Sequence, residues 1–227
     1  MRKVLIGTPS YDGRIDVWFA NSLVNTIRMT PEDTVIIPVY MAFDSLVQRA
    51  RNDLVKLALD EDFDDLIFID SDVEWQPEWV NKLLSYDADV VGGIYPKKTD
   101  LHQFPVKPLE TGFKAEENGL IEVAGLPTGF LRITRKALKD VWEVSEEYEN
   151  EGKTNRMVFD VKVMDGKLVS EDNVFCRKWR DLGGKVYIDP SMTCNHIGTK
   201  KYQSNFQEYL KYLEGENERN RSTPELA

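Results

Sequence analysis

Four large apolar residues in a row, Leu66-Ile67-Phe68-Ile69, run straight into Asp70-Ser71-Asp72. An uninterrupted apolar run reads as a strand buried on both faces, as in a parallel sheet covered by helices. In open sheets of that kind, ligands bind outside the carboxyl ends of the strands, which is where the two aspartates stand. Two residues apart in extended backbone, both carboxylates can face one side, with about 6–7 Å between Cα atoms. Partly desolvated and that close, they repel by about 4 kcal/mol at 4 Å and an effective dielectric of 20. Relief comes from a raised pKa on one of them or from a bound cation. A hard divalent ion, held by one or two carboxylates plus substrate phosphates, fits the arrangement. The plainer alternative is that Asp72 opens the turn before Gln76-Pro77.

The segments around this strand carry the same α/β signature. Lys3 to Gly7 reads as a first buried strand, running into a loop of Thr8, Pro9, Ser10, Tyr11, Asp12 and Gly13. Val17 to Ile27 has helical spacing, with Phe19, Leu23, Val24 and Ile27 on one side. Thr34 to Val39 is a second strand, in which Pro38 points to an edge. Asp44 or Ser45 caps a long helix with Leu46, Val47, Ala50, Leu54, Leu57 and Ala58 as its apolar stripe. A short helix follows Pro77, and Ala88 to Val91 is a strand stopped by Gly92-Gly93. Strand–helix alternation over these ninety residues predicts parallel pairing and a doubly wound sheet.

The second half is less regular. Leu120 to Val123 and Phe130 to Thr134 read as strands, Lys136 to Trp142 as a short helix, and Glu143 to Gly152 as an acidic loop. Val158 to Val163 alternates like a strand, Ser170 caps a helix carrying Val174, Phe175 and Leu182, and Lys185 to Ile188 is another strand. Met192 to His196 is a further strand candidate and Asn205 to Leu213 a last helix. The division that results is one domain over residues 1–213 and a polar, charge-rich, disordered tail over 214–227.

Charge and composition narrow the function. A net charge of −10 and a pI near 4.9 disfavour nucleic acid as a broad-surface partner. A phosphorylated ligand would have to be held locally, by a metal, helix N-termini and a few basic residues. Only Cys176 and Cys194 are present, which argues against a disulfide framework and suits the cytoplasm. No run approaches the roughly 18 apolar residues of a membrane span. Glu171 and Asp172 open the Ser170-capped helix, where acids complement the helix dipole, yet a carboxylate there is also well placed as a general base. His196 follows a strand and precedes Gly198, Lys200 and Lys201, a setting for a ligand near phosphate, although a lone histidine is more often structural. His102 has no such company and reads as structural. Arg49, Arg51 and Asn52 lie mostly on the polar side of their helix, as a solvated face or as arms that reach a diphosphate.

Taken together, these pieces resemble the small GT-A fold glycosyltransferases, of the compact type found in phages, large DNA viruses and bacterial polysaccharide clusters. The resemblance spans roughly Lys3 to Tyr202. It is carried by Thr8-Pro9-Ser10, Arg49-Ala50-Arg51-Asn52, Phe68-Ile69-Asp70-Ser71-Asp72, Gly92-Gly93-Ile94-Tyr95-Pro96, and Ser170-Glu171-Asp172 with the later His196. It implies a GT-A fold: Rossmann-like, spore-coat-polysaccharide-type, with a mixed, mainly parallel sheet flanked by helices. It implies Mn²⁺ or Mg²⁺ on Asp70, Asp72 and His196, with Asp72 the firmer ligand and Asp70 also meeting ribose or donor sugar. Thr8, Pro9, Tyr11 and Asp12 would cradle the nucleoside, with Arg49, Asn52, Ser71, Lys200 and Lys201 completing the donor site. Asp172 would be the catalytic base beside Glu171. The implied substrates are a UDP- or GDP-sugar donor and a glycan or other hydroxyl acceptor. A sugar nucleotidyltransferase would want a Gly-rich basic loop after the first strand, which this chain lacks. A non-catalytic carbohydrate-binding module would use Trp75, Trp79 and Tyr95 as stacking surfaces.

Overall fold

The computed structural model describes residues 1–99, 103–198 and 200–222. His102 and residues 223–227 of the expected tail lie outside the described residues. The chain begins β1 (Arg2–Ser10), α1 (Val17–Met29), β2 (Thr34–Ala42), α2 (Val47–Asp60), β3 (Asp65–Ile69), β4 (Val73–Glu74), α3 (Glu78–Ser85) and β5 (Val90–Ile94). Then come β6 (Lys114–Ala115), β7 (Ile121–Val123), β8 (Phe130–Thr134) and α4 (Arg135–Glu143). Two hairpins follow, β9 (Glu147–Asn150) with β10 (Lys153–Arg156), and β11 (Lys162–Met164) with β12 (Lys167–Val169). Last are α5 (Glu171–Asp181), β13 (Val186–Thr193), β14 (Asn195–Ile197), β15 (Lys201–Tyr202) and α6 (Phe206–Ser222).

Among the described residues, eight strands form one mixed sheet in the order β2-β1-β3-β8-β5-β13-β7-β6. β1 pairs in parallel with β2 and β3, and β5 with β13. β8 lies antiparallel between β3 and β5, and β7 antiparallel between β13 and β6. Six of the eight strands therefore share a direction. Side chains alternate across the sheet, so β1 sends Val4 and Ile6 to one core and Leu5 to the other. The first core is closed by α1 and α3 (Phe19, Leu23, Val80, Leu83), the second by α2, α4, α5 and α6 (Leu54, Leu138, Phe175, Phe206). No described helix is long and apolar enough to cross a membrane.

Several local expectations need correction. The predicted α1 stripe is rotated: Val24 and Ile27 are 56% and 43% exposed, while Ser22 and Thr26 face the core. The buried Trp75 explains this, because its carbonyl accepts from Ser22 Oγ at 2.8 Å and its indole Nε1 donates to Thr26 Oγ1 at 2.9 Å. Gly92-Gly93 does not stop a strand but lies inside β5. A Cβ on Gly93 would sit 2.6 Å from the Met192 carbonyl oxygen, and one on Gly92 would meet that of Phe130. Only glycine lets β8 and β13 approach. The alternating Val158 to Val163 segment is not a strand until Lys162, since Asn52 takes both polar groups of Phe159 (N–H to Oδ1 2.8 Å, Nδ2 to carbonyl 3.0 Å). The acidic 143–152 loop holds the β9–β10 hairpin instead, turned by Glu151-Gly152 with φ of 52° and 74°. Residues 185–196 form one long strand, β13, and then β14. The last helix continues past Leu213 to Ser222.

Candidate active site

β2 and β3 lie on opposite sides of β1, so the strand order reverses between β1 and β3, and a crevice opens beyond their carboxyl ends. Thr8 to Ser10 end one of these strands, and Asp70-Ser71-Asp72 follow the other. The Asp16 N–H donates to the Ser71 carbonyl at 2.9 Å, tying the loop after β1 to the aspartate turn. β4 begins directly after Asp72 and pairs with β14, setting His196 opposite Val73 and Asn195 opposite Glu74. The Ile197 N–H donates to the Asp72 carbonyl at 2.8 Å. Backbone pairing thus carries His196 across 124 positions to the aspartate turn.

The two carboxylates diverge in their partners. Asp72 lies between Lys98 and His196: Lys98 Nζ is 2.5 Å from Oδ2, and His196 Nε2 is 3.6 Å from Oδ1. Burial pushes the Asp72 carboxyl up, but these two neighbours outweigh it and hold it below the usual range. His196 Nδ1 is 2.9 Å from the Pro96 carbonyl oxygen. A carbonyl only accepts, so Nδ1 carries a proton, and Nε2 is the nitrogen that faces Asp72. Asp70 instead accepts from the buried Arg51 Nη2 at 3.0 Å, and Arg51 Nε lies 3.3 Å from Glu171 Oε1. Burial works against this guanidinium, yet Asp70 and Glu171 raise its pKa.

Tyr95 stands at the centre of the group. Its ring lies edge-on to His196, with centroids 4.8 Å apart, and its oxygen accepts from the Gly129 N–H. Burial first, then Asp70, pushes its pKa well above 10, so the phenol stays neutral. Gly129 has to be glycine because a Cβ would enter the Tyr95 ring at 2.5 Å. At the start of α5, Ser170 does not cap through its side chain; its hydroxyl turns to Asp172 Oδ1, which also accepts from Asn173 N (2.6 Å) and Nδ2 (2.9 Å).

The structure brings together Asp70, Asp72, His196, Glu171 and Asp172, and adds Arg51, Tyr95 and Lys98. Lys98 is the cation the sequence reading missed; the signal for it was the Lys97-Lys98 pair directly after Gly-Gly-Ile-Tyr-Pro. Other expected donor residues are engaged elsewhere. Asn52 is fully buried on the Phe159 backbone, and Arg49 makes a bidentate pair with Asp44 at 2.8 and 2.7 Å. Lys201 pairs with Glu74 and lies 4.5 Å from the centre of the Trp18 ring, and Lys200 lies over Tyr202. Thr8 is wholly buried, and its hydroxyl has no partner among the described residues. Tyr11 is 76% exposed, Pro9 is half-buried, and Asp12 accepts from the Arg14 N–H at 3.1 Å. Trp75 and Tyr95 are 3% and 7% exposed, too little for an open stacking surface. A cavity of about 580 Å³ beside α6 is lined by Gln103, Asn205, Glu208 and Tyr209 and by none of these carboxylates.

No protein-family model matches the chain, and no curated protein sequence matches it. Among solved structures it is similar to the crystal structure of A197 from STIV, with a TM-score of 0.57 and 22% identity over 87% of this chain and 86% of that one. At that identity the likeness is one of fold. A second similar structure is that of a glycosyltransferase involved in the glycosylation of the major capsid of PBCV-1. It has a TM-score of 0.34 and 10% identity over 63% of this chain and 67% of that one, an overlap too low to carry an argument.

Proposed function

We propose that this chain is a metal-dependent glycosyltransferase of the GT-A type, moving a sugar from a UDP- or GDP-sugar to a hydroxyl of a glycan or other acceptor. The observation that carries the reading is the pairing of β4 with β14, which sets His196 Nε2 3.6 Å from Asp72 with its other nitrogen held by Pro96. A histidine whose Nδ1 is anchored on a backbone carbonyl, with Nε2 turned toward a carboxylate, has the orientation of a metal ligand. No group of three such ligands occurs among the described residues. Two protein ligands nonetheless fit a divalent ion whose remaining positions go to phosphate oxygens and water. Asp72 and His196 would hold Mn²⁺ or Mg²⁺ there; bound, the ion would supply positive charge for the leaving diphosphate.

The remaining steps belong to the chain. Arg51 fixes Asp70 at the end of β3, aimed at donor sugar or ribose, and fixes Glu171 at the start of α5. Asp172, next along, takes the proton of the acceptor hydroxyl if the reaction inverts. The bond from the sugar's anomeric carbon to diphosphate breaks with its electron pair on the diphosphate, and the acceptor oxygen forms the new bond. Incubation with a panel of UDP- and GDP-sugars, with and without Mn²⁺, tests this. Metal-dependent release of UDP or GDP is expected, and its loss in Asp72→Ala with an unchanged melting temperature. A protein that releases neither nucleotide from any donor would end the proposal.

A further inference from the structure

Resting on that reading, we propose that Lys98 is the diphosphate-binding residue of this site, and that it reaches the diphosphate by exchanging Asp72 for the incoming divalent ion. The starting arrangement is the ion pair itself: Lys98 Nζ lies 2.5 Å from Asp72 Oδ2, while His196 faces Oδ1 at 3.6 Å. An ammonium therefore sits on the carboxylate that a divalent ion would use. A carboxylate that accepts a dication no longer needs the ammonium, and the two cations repel. Displaced, the ammonium meets the one group in the reaction that gathers negative charge, the departing diphosphate. Its compact charge and three rotatable donors suit phosphate oxygens.

The surroundings permit this move. Lys98 and Asp72 side chains are 38% and 37% exposed, so the exchange needs no buried charge to cross the core. Gly198 opens the path: a Cβ there would lie 3.2 Å from Lys98 Cδ and 3.6 Å from Cε. The Gly198 N–H is fixed by the Lys200 carbonyl at 3.0 Å, so that backbone stays beside the lysine stem. The other nearby lysines are differently engaged, Lys201 with Glu74 and Lys200 over Tyr202. During transfer, the pair from the broken anomeric bond lands on a diphosphate oxygen that Lys98 contacts, and in an inverting reaction the acceptor proton goes to Asp172.

Calorimetry with three probes, MnCl₂ alone, UDP with Mn²⁺ and GDP with Mn²⁺, tests the exchange on wild type, Lys98→Met, Lys98→Arg and Gly198→Ala. Lys98→Met should bind Mn²⁺ alone about fivefold more tightly, because a competing surface ion pair is gone. The same variant should bind the preferred nucleoside diphosphate at least about tenfold more weakly, having lost a charge-assisted contact. Lys98→Arg should keep most of the diphosphate affinity. Gly198 has no positive φ, so alanine fits its backbone, and by crowding the stem it should shift Mn²⁺ affinity the same way by a smaller factor. Unchanged or weaker Mn²⁺ binding in Lys98→Met, or unchanged diphosphate binding, overturns the role of Lys98 alone. Wild-type protein that binds neither UDP nor GDP with Mn²⁺ overturns the glycosyltransferase reading, and Lys98 with it.

Discussion

Asp172 and Glu171 are neighbours of the same chemical type, yet their partners separate their roles. Glu171 is neutralised by the buried Arg51. Asp172 has no cation on it, and its three hydrogen bonds all arrive at Oδ1, leaving Oδ2 without one among the described residues. A half-buried carboxylate oxygen with its lone pairs open is the form a general base requires. Asp172→Asn should lower the transfer rate by roughly 10²–10⁴ while nucleotide affinity and melting temperature stay near wild type. Steady-state kinetics beside a nucleotide titration would check it; near-wild-type turnover would leave Asp172 as a first-turn acid that only complements the helix dipole. The identity of these acids was legible from one dimension, because the chemistry sits in adjacent residues after a cap. The pairings of Lys98 with Asp72 and of Tyr95 with His196 were not, because the partners lie 26 and 101 positions apart and no local pattern encodes them.

At the scale of elements, α5 both presents the acid pair and anchors the irregular segment before it. Lys178 on this helix donates to the carbonyls of Met157 and Val158 and to Ser145 Oγ, so a side chain holds the chain just before Phe159. Burial, with Lys162 nearby, pulls the Lys178 ammonium down to about 8 from 10.5. The unfolded chain restores the higher value, so between about pH 8 and 10.5 the unfolded state binds more protons and stability rises with pH through this group. Below about 8 both states are protonated and its contribution is flat. Denaturant melts at about pH 7.5 and 9.5 should show wild type gaining stability relative to Lys178→Met; a constant difference would mean that the ammonium is solvated. The same segment shows why a period-two pattern misled: Val158 to Val163 alternates, but Asn52 had already taken the Phe159 backbone. The Asp165-Gly166 turn, with φ of 52° and 71°, joins a hairpin that the sequence reading passed over although Asp-Gly favours such turns.

For the whole molecule, the parallel half was legible because each βαβ unit is local: β1, β2 and β3 follow one another, and Pro38 marks β2 as the edge it is. The insertion of β8 between β3 and β5 was not, since Phe130–Thr134 reads the same wherever it pairs. The second core is closed from the far end of the chain by Phe206, which is fully buried against Phe104 at 5.0 Å and whose N–H donates to Thr193 Oγ1 at 3.1 Å. Phe206→Ala should cost about 3–5 kcal/mol, lowering Tm by roughly 6–20 °C in a chain of this size. A shift under about 2 °C would show that α6 is not part of the cooperative unit. The short ladder between β4 and β14 also sets an order in time. A ribosome delivers the two aspartates early, with the βαβ half able to form around them, but the strand bearing His196 emerges some 120 residues later. Until that strand docks, a nascent or prematurely terminated chain holds only half of the proposed cation cradle. On that proposal, competence serves as a proofreading of length: the last third of the protein, by folding, is what turns the first third on.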